Sequence, residues 1–200
     1  MRNLEFHPLT PGLWPDLEKL FGERGACGGC WCMWWRLTRG EWERNKGAPN
    51  KTAFRKLVAS GVPLGVLAFL DGQPIGWCAV GPRETLPSLA RSRVLAPVDD
   101  RPVWSVTCFF VARPYRKRGV AVRLLKAGVA YARSQGARIV EGYPTATRKP
   151  SVPDVFAFMG PVPLFEKAGF REVARRSANR PFMRKAVRPG GPGSSSKPAR

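Results

Sequence analysis

Three consecutive cations, Arg116, Lys117 and Arg118, crowd one turn of the chain, in the run Arg113-Pro114-Tyr115-Arg116-Lys117-Arg118-Gly119-Val120-Ala121. Downstream, Ala121, Leu124, Leu125, Gly128 and Ala132 recur at helical spacing, and Gly136 is placed to end the helix. A helix start leaves about four backbone N–H groups without partners and carries roughly half a positive charge. Such an end is a natural anion site. Gly119 removes the side chain where a phosphate must come close, and Ala121 keeps the next contact small. Arg116, Lys117 and Arg118 add their charge, so the spacing suits a pyrophosphate; a basic helix start with no ligand is the plainer alternative.

A second concentration of chemistry is Cys27-Gly28-Gly29-Cys30-Trp31-Cys32-Met33-Trp34-Trp35. Zinc wants four ligands, and a fourth beside Cys27, Cys30 and Cys32 would have to come from His7, Cys78 or Cys108. With no second Cys-x-x-Cys pair, no metal is expected. Cys27 and Cys30 could instead act as a reactive thiol pair, because basic surroundings lower a thiol pKa. The favoured reading is apolar packing, with the cysteines serving as small hydrophobes. Trp31, Trp34 and Trp35, with Trp42, could shape an aromatic pocket for a planar substrate, or stack nucleobases beside Arg36 and Arg39. Core packing remains the plainer role for any single one of them, and His7 is read as incidental.

These residues must be carried by alternating elements. Short strands are expected at 4–7, 64–70, 75–80, 103–111, 138–143, 170–174 and 181–185, and helices at 11–21, 52–59, 118–134 and 162–168. Asp71-Gly72 between apolar runs marks a hairpin, and 82–100 reads as loop with one helical turn. Strand 103–111, the long helix and strand 138–143 form a βαβ unit, which makes those strands parallel. The chain is thus expected to be α/β, with one domain over 1–186 and a Gly/Pro/Ser-rich, basic, disordered tail over 187–200.

The run Val111-x-x-x-Tyr115-Arg116-x-x-Gly119-x-Ala121, between strand and helix, resembles the acetyl-CoA motif of the GNAT acyltransferase superfamily. Leu164-Phe165-Glu166-Lys167-Ala168-Gly169-Phe170 resembles that superfamily's second signature, Leu-Tyr-x-x-x-Gly-Phe. The resemblance covers roughly residues 3 to 186. It implies a mixed central sheet with helices on both faces and two parallel central strands that splay apart. Phe109, Phe110 and Val111 would offer main-chain groups to the pantetheine arm of acetyl-CoA. Backbone N–H groups from Lys117 through Gly119, Val120 and Ala121 to Val122 would wrap its pyrophosphate, and an N–H near Val111 would polarise the thioester carbonyl. It also places the acceptor site near the Cys/Trp segment.

The same resemblance suggests Glu141 as the base that deprotonates an ammonium through water. A carboxylate in a buried parallel strand is costly unless paired or hydrated, so an ion pair with one of the many arginines stands beside that reading. The second signature's tyrosine, the usual proton donor to the departing thiolate, is Phe165 here. Tyr143 and Cys108 are the substitute candidates.

Composition bounds the rest. The formal net charge of +20 favours anionic partners such as nucleotide phosphates and nucleic acid, and opposes a polycationic acceptor. No apolar run reaches the roughly 20 residues of a membrane helix, and the N-terminus lacks a signal-peptide pattern, so a cytoplasmic protein with reduced cysteines is expected. The leading expectation is an N-acetyltransferase using acetyl-CoA and an amine acceptor, as a monomer or homodimer. A basic nucleic-acid binder, or a CoA-binding sensor without catalysis, is the alternative on the same scaffold.

Overall fold

A computed structural model describes residues 3–146 and 158–188. Most of the tail assigned to 187–200 lies outside the described residues. In chain order the elements are β1 (Leu4–Pro8), α1 (Trp14–Phe21), α2 (Arg39–Arg44), α3 (Ala48–Ala59), β2 (Gly65–Leu70), β3 (Gln73–Pro82), α4 (Pro87–Arg91), β4 (Trp104–Val111), α5 (Val120–Ser134), β5 (Ile139–Gly142), α6 (Val162–Lys167), β6 (Arg171–Ser177) and β7 (Arg180–Ala186).

Two helices differ from the sequence reading. α3 begins at Ala48 rather than near 52, because Pro49 sits in its first turn, where a fixed φ and a missing N–H cost nothing. α2 was not expected at all. Thr38 accepts a hydrogen bond from the Glu41 N–H at 3.3 Å while the Glu41 carboxylate accepts from the Thr38 N–H at 2.8 Å. That reciprocal cap lets a helix of only six residues form.

The strands form one seven-stranded sheet in the order β1-β2-β3-β4-β5-β7-β6. β4 and β5 run parallel; all other neighbours are antiparallel. The parallel pair is short, joining Trp104 to Val140, Ser105 to Glu141 and Val106 to Gly142. Beyond Val106 the strands part, as the splayed arrangement requires. At the parting, β4 carries one extra residue: Ala79 faces Cys108 and Val80 faces Val106, which leaves Thr107 as a bulge.

Strand alternation sends side chains to two cores. Ile75, Cys78, Val80 and Val106 of the sheet pack against Leu124 and Leu125 of α5 and Phe165 of α6. On the other face, Trp77 and Ala79 pack with Trp14, Leu17, Phe21, Trp31, Phe54 and Val58 beneath α1 and α3. The faces are tightly fitted. A Cβ on Gly142 would come within 2.1 Å of the Phe165 ring, so β5 must be bare there for α6 to dock.

Candidate active site

The tip of α5 has the form the sequence implied. Gly119 is its N-cap in the left-handed conformation, φ 79°, and no side chain caps the helix. Gly119 is exposed, and a Cβ built on it would meet nothing within 4 Å, so the approach to the first free N–H groups is open. Lys117 also has a positive φ, 58°, which a lysine adopts only at a cost of order 1–3 kcal/mol. Lys117 and Arg118 are exposed, while the Arg116 Nε donates to the Val111 carbonyl at 2.8 Å and ties the turn to the end of β4. The tip can hold an anion of pyrophosphate size against backbone amides and two cations.

From that tip the parted edge of β4 leads inward. The Phe109 N–H points away from β3 and donates to the Phe158 carbonyl at 2.6 Å. Strand alternation puts the Val111 N–H on the same edge. The Thr145 N–H donates to the Gly160 carbonyl at 2.9 Å, so the 158–161 segment bridges the gap between β4 and the continuation of β5. Phe110 faces the α1–α3 core instead. Phe165 is fully buried in an aromatic group with Phe109 and Phe170, their ring centroids 6.0 and 5.2 Å away, and has no proton to give.

Glu141 is wholly buried, with both carboxylate oxygens taken. Oε2 accepts from the Arg184 Nε at 2.5 Å; Oε1 accepts from the Arg83 NH1 at 3.2 Å and the Tyr143 hydroxyl at 2.7 Å. Among the two sequence readings, these contacts are those of the buried ion pair. Tyr143 shares the network: Ser105 Oγ lies 2.8 Å from its hydroxyl and Arg83 also donates to it. Burial, and then the Glu141 charge, push its phenol well up, so it keeps its proton. Sequence reasoning missed Arg83, Ser105 and Arg184. Each comes from a different element, and the surplus of arginines gave no local sign of which would pair.

Arg184 also donates to Asp99 at 2.6 Å, and Arg101 donates to the same carboxylate at 2.7 and 3.0 Å. These bonds, that of Arg184 first, hold the Asp99 carboxyl well below the usual carboxylate range. A depressed folded pKa stabilises above the unfolded value of about 3.9, and that contribution fades as the pH falls below it. The difference in urea midpoint between wild type and Asp99→Asn is therefore expected to be present at pH 7 and to shrink by pH 3. A gap that stays constant would detach Asp99 from acid stability.

The Cys/Trp segment divides. Trp31 is 1% exposed and stacks on Trp14 with centroids 5.9 Å apart, so it belongs to the core and not to an acceptor pocket. Gly25 makes room for it, since a Cβ there would strike the Trp31 ring at 2.2 Å. Trp34 and Trp35 are only half-buried. Trp34 meets Trp42 edge-to-face at 4.8 Å, and Trp35 packs beside the group formed by Leu86, Tyr143, Met159 and Phe182. Cys108 is partly exposed on the same face as Trp77. Among the described residues no three His, Cys, Asp or Glu side chains stand in a metal-holding group, and no helix is long and apolar enough to cross a membrane.

The description "Acetyltransferase (GNAT) family" belongs to the family model that matches residues 31–170, and the chain belongs to that family. Solved structures share the fold at low identity. AAC(6')-Ib in complex with ribostamycin and coenzyme A is 15% identical, with a TM-score of 0.54 over 92% of this chain and 93% of that one. A GNAT acetyltransferase from Streptococcus agalactiae is 14% identical, with a TM-score of 0.54 over 92% and 96%. PaiA N-acetyltransferase from Thermoplasma acidophilum, in complex with coenzyme A, is 15% identical, with a TM-score of 0.50 over 92% and 99%. No curated protein matches the chain by sequence.

Proposed function

We propose that this protein transfers the acetyl group of acetyl-CoA to an amine. The observation that carries the reading is the uncapped, open tip of α5 at Gly119, lying at the end of the parted edge of β4. Acetyl-CoA supplies an activated thioester. The N–H groups from Lys117 to Val122 hold its diphosphate, with Lys117 and Arg118 adding charge. The edge N–H groups of Phe109 and Val111 hold its amide arm, whose carbonyl takes the place that the Phe158 carbonyl has here. An edge N–H near Val111 polarises the thioester carbonyl as an oxyanion donor.

The acceptor amine enters from the α1–α3 side, past Trp34 and Trp35. No proton donor is assigned to the departing thiolate, because a thiol of ordinary pKa, about 8.5, leaves into water. Glu141 and Tyr143 act by holding β4 and β5 together beneath the reacting atoms. The charge of +20 disfavours a polycationic acceptor and favours a neutral or acidic one.

The test joins binding to turnover. Acetyl-CoA is expected to raise the melting temperature, and a panel of amines is expected to contain one that releases CoA thiol above the no-amine rate. A thermal shift with no active amine would leave a CoA sensor. RNA binding that falls steeply with salt, with no shift from acetyl-CoA, would leave a nucleic-acid binder.

A further inference from the structure

Four cations line a groove that no step of acetyl transfer uses, between the second half of α5 and the end of β7. It has a volume of about 630 Å³ and takes Lys126 and Arg133 from α5, and Lys185 and Arg188 from the β7 end. Elsewhere on the chain cations meet acids, as Lys46 meets Glu43, Lys51 meets Glu18 and Arg175 meets Glu172. Among the described residues, none of these four stands in an ion pair. Lys185 donates to the neutral Ala168 carbonyl at 2.6 Å, while Lys126, Arg133 and Arg188 are exposed. No carboxylate of the described residues lines the groove. Like charges around one groove raise its positive potential, which favours an anionic occupant.

Two further features give that occupant a shape. Val129 and Val187 also line the groove, and both join the core under α5, so apolar side chains have a surface to rest on. β6 pairs with β7 no further than Arg184, so Lys185 and Ala186 lie beyond the last pair on that side. The Val187 N–H donates to the Arg138 carbonyl, on the β5 side, at 2.9 Å. Main-chain groups alternate in direction along a strand, so the Ala186 N–H points away from β5, to the side that β6 has left. An extended peptide can add there. Along α5, Lys126 and Arg133 are about 10 Å apart, the length of roughly three extended residues.

We propose that this groove docks an acidic, extended peptide of a partner protein, with apolar residues between its carboxylates. The peptide lies along the end of β7, where its backbone accepts a hydrogen bond from the Ala186 N–H. Its apolar side chains rest on Val129 and Val187, and its carboxylates meet the four cations. A nucleic acid fits less well, because no aromatic ring of the described residues lines the groove for a base to stack on. Phosphates also gain nothing from two valines. A second copy of this chain would bring a net charge of +20 against the same cations. Residues 189–200 include Lys197 and Arg200 and no acidic side chain, so they do not neutralise the groove either. The docking goes beyond acetyl transfer and holds whether or not the chain is an active transferase.

The test titrates the full chain into a short fluorescein-labelled peptide that alternates aspartate and valine, and follows anisotropy. Saturable binding that weakens with salt is expected. The variant carrying both Lys126→Glu and Arg133→Glu is expected to bind about tenfold more weakly. Ala186→Pro removes one N–H that lies outside the β5 ladder, so it is expected to lower affinity while the melting temperature is kept. No binding of the peptide, or equal binding by the charge-reversed variant, would overturn the proposal. Unchanged affinity in a folded Ala186→Pro variant would overturn the strand addition. Tighter binding of single-stranded oligouridylate, lost in the charge-reversed variant, would make the groove a nucleic-acid site instead. Peptide binding only by a chain that ends at Arg188 would give the groove to residues 189–200, and a dimer in sedimentation that charge reversal breaks would give it to a second copy.

Discussion

Glu141→Gln is expected to unfold the protein at a markedly lower temperature while leaving coenzyme A affinity nearly unchanged. The carboxylate is the charge partner of two guanidiniums, and the Arg184 side chain is only 6% exposed. Glutamine keeps the shape and can still accept from Tyr143, but it removes the negative charge. Removing one member of a buried ion pair typically costs about 3–5 kcal/mol, because the partner's charge stays buried. Arg184 keeps Asp99, which argues for the lower end. A loss of about 3 kcal/mol in a domain of this size lowers the melting temperature by roughly 6–12 °C. The measurement is a calorimetric scan of wild type and variant, set beside single-turnover acetyl transfer. A variant that melts with the wild type but turns over a hundredfold slower would make Glu141 a proton acceptor, and would require water to reach an oxygen that arginines now enclose.

That expectation differs from the one the sequence alone encourages, and the difference shows which information is local. The α5 tip is written in nine consecutive residues, so charge, glycine and helical period could be read together. Tyr143 lies just past the end of β5, two residues after Glu141, and the period of an extended chain places both on one face. Their partners are far away along the chain: Arg83 is 58 residues from Glu141 and Arg184 is 43 away. With 34 lysines and arginines in the chain, no count could choose among them. The seven-stranded order was likewise legible only in part. The βαβ crossover fixes β4 beside β5, but the insertion of β7 between β5 and β6 rests on pairing over a distance.

The segment from 22 to 38 was opaque for another reason. Gly22, Gly25, Gly28 and Gly29 have positive φ, as do Ala26, Trp31 and Cys32, so the chain keeps neither helical nor strand period there. Without a period, nothing in the sequence separates buried Trp31 from half-buried Trp34 three residues on. α2 is the opposite case. Thr38-x-x-Glu41 is a capping signature in plain view, but the six-residue helix it starts buries no residue and so shows no apolar period.

Gly119→Val is expected to abolish coenzyme A binding while the fold survives. In the free protein a Cβ at this position meets nothing, so bulk alone does no harm. The cost to the free protein is the left-handed conformation, roughly 1–2 kcal/mol for an L residue and worse with a branched Cβ, or a local shift of the turn to escape it. Either response damages the site. A valine held in place puts two methyl groups where a phosphate must approach the N–H groups of Val120 and Ala121; a turn that relaxes moves those N–H groups off the anion. Gly119→Ala separates the two effects, because it carries most of the strain and little of the bulk, and it is expected to bind with intermediate affinity. A hundredfold loss in the valine variant corresponds to about 2.7 kcal/mol, which calorimetric titration resolves easily. Affinity within threefold of wild type in the valine variant would mean that no diphosphate rests on this helix end, and the acetyl-donor site would have to be sought elsewhere on the sheet.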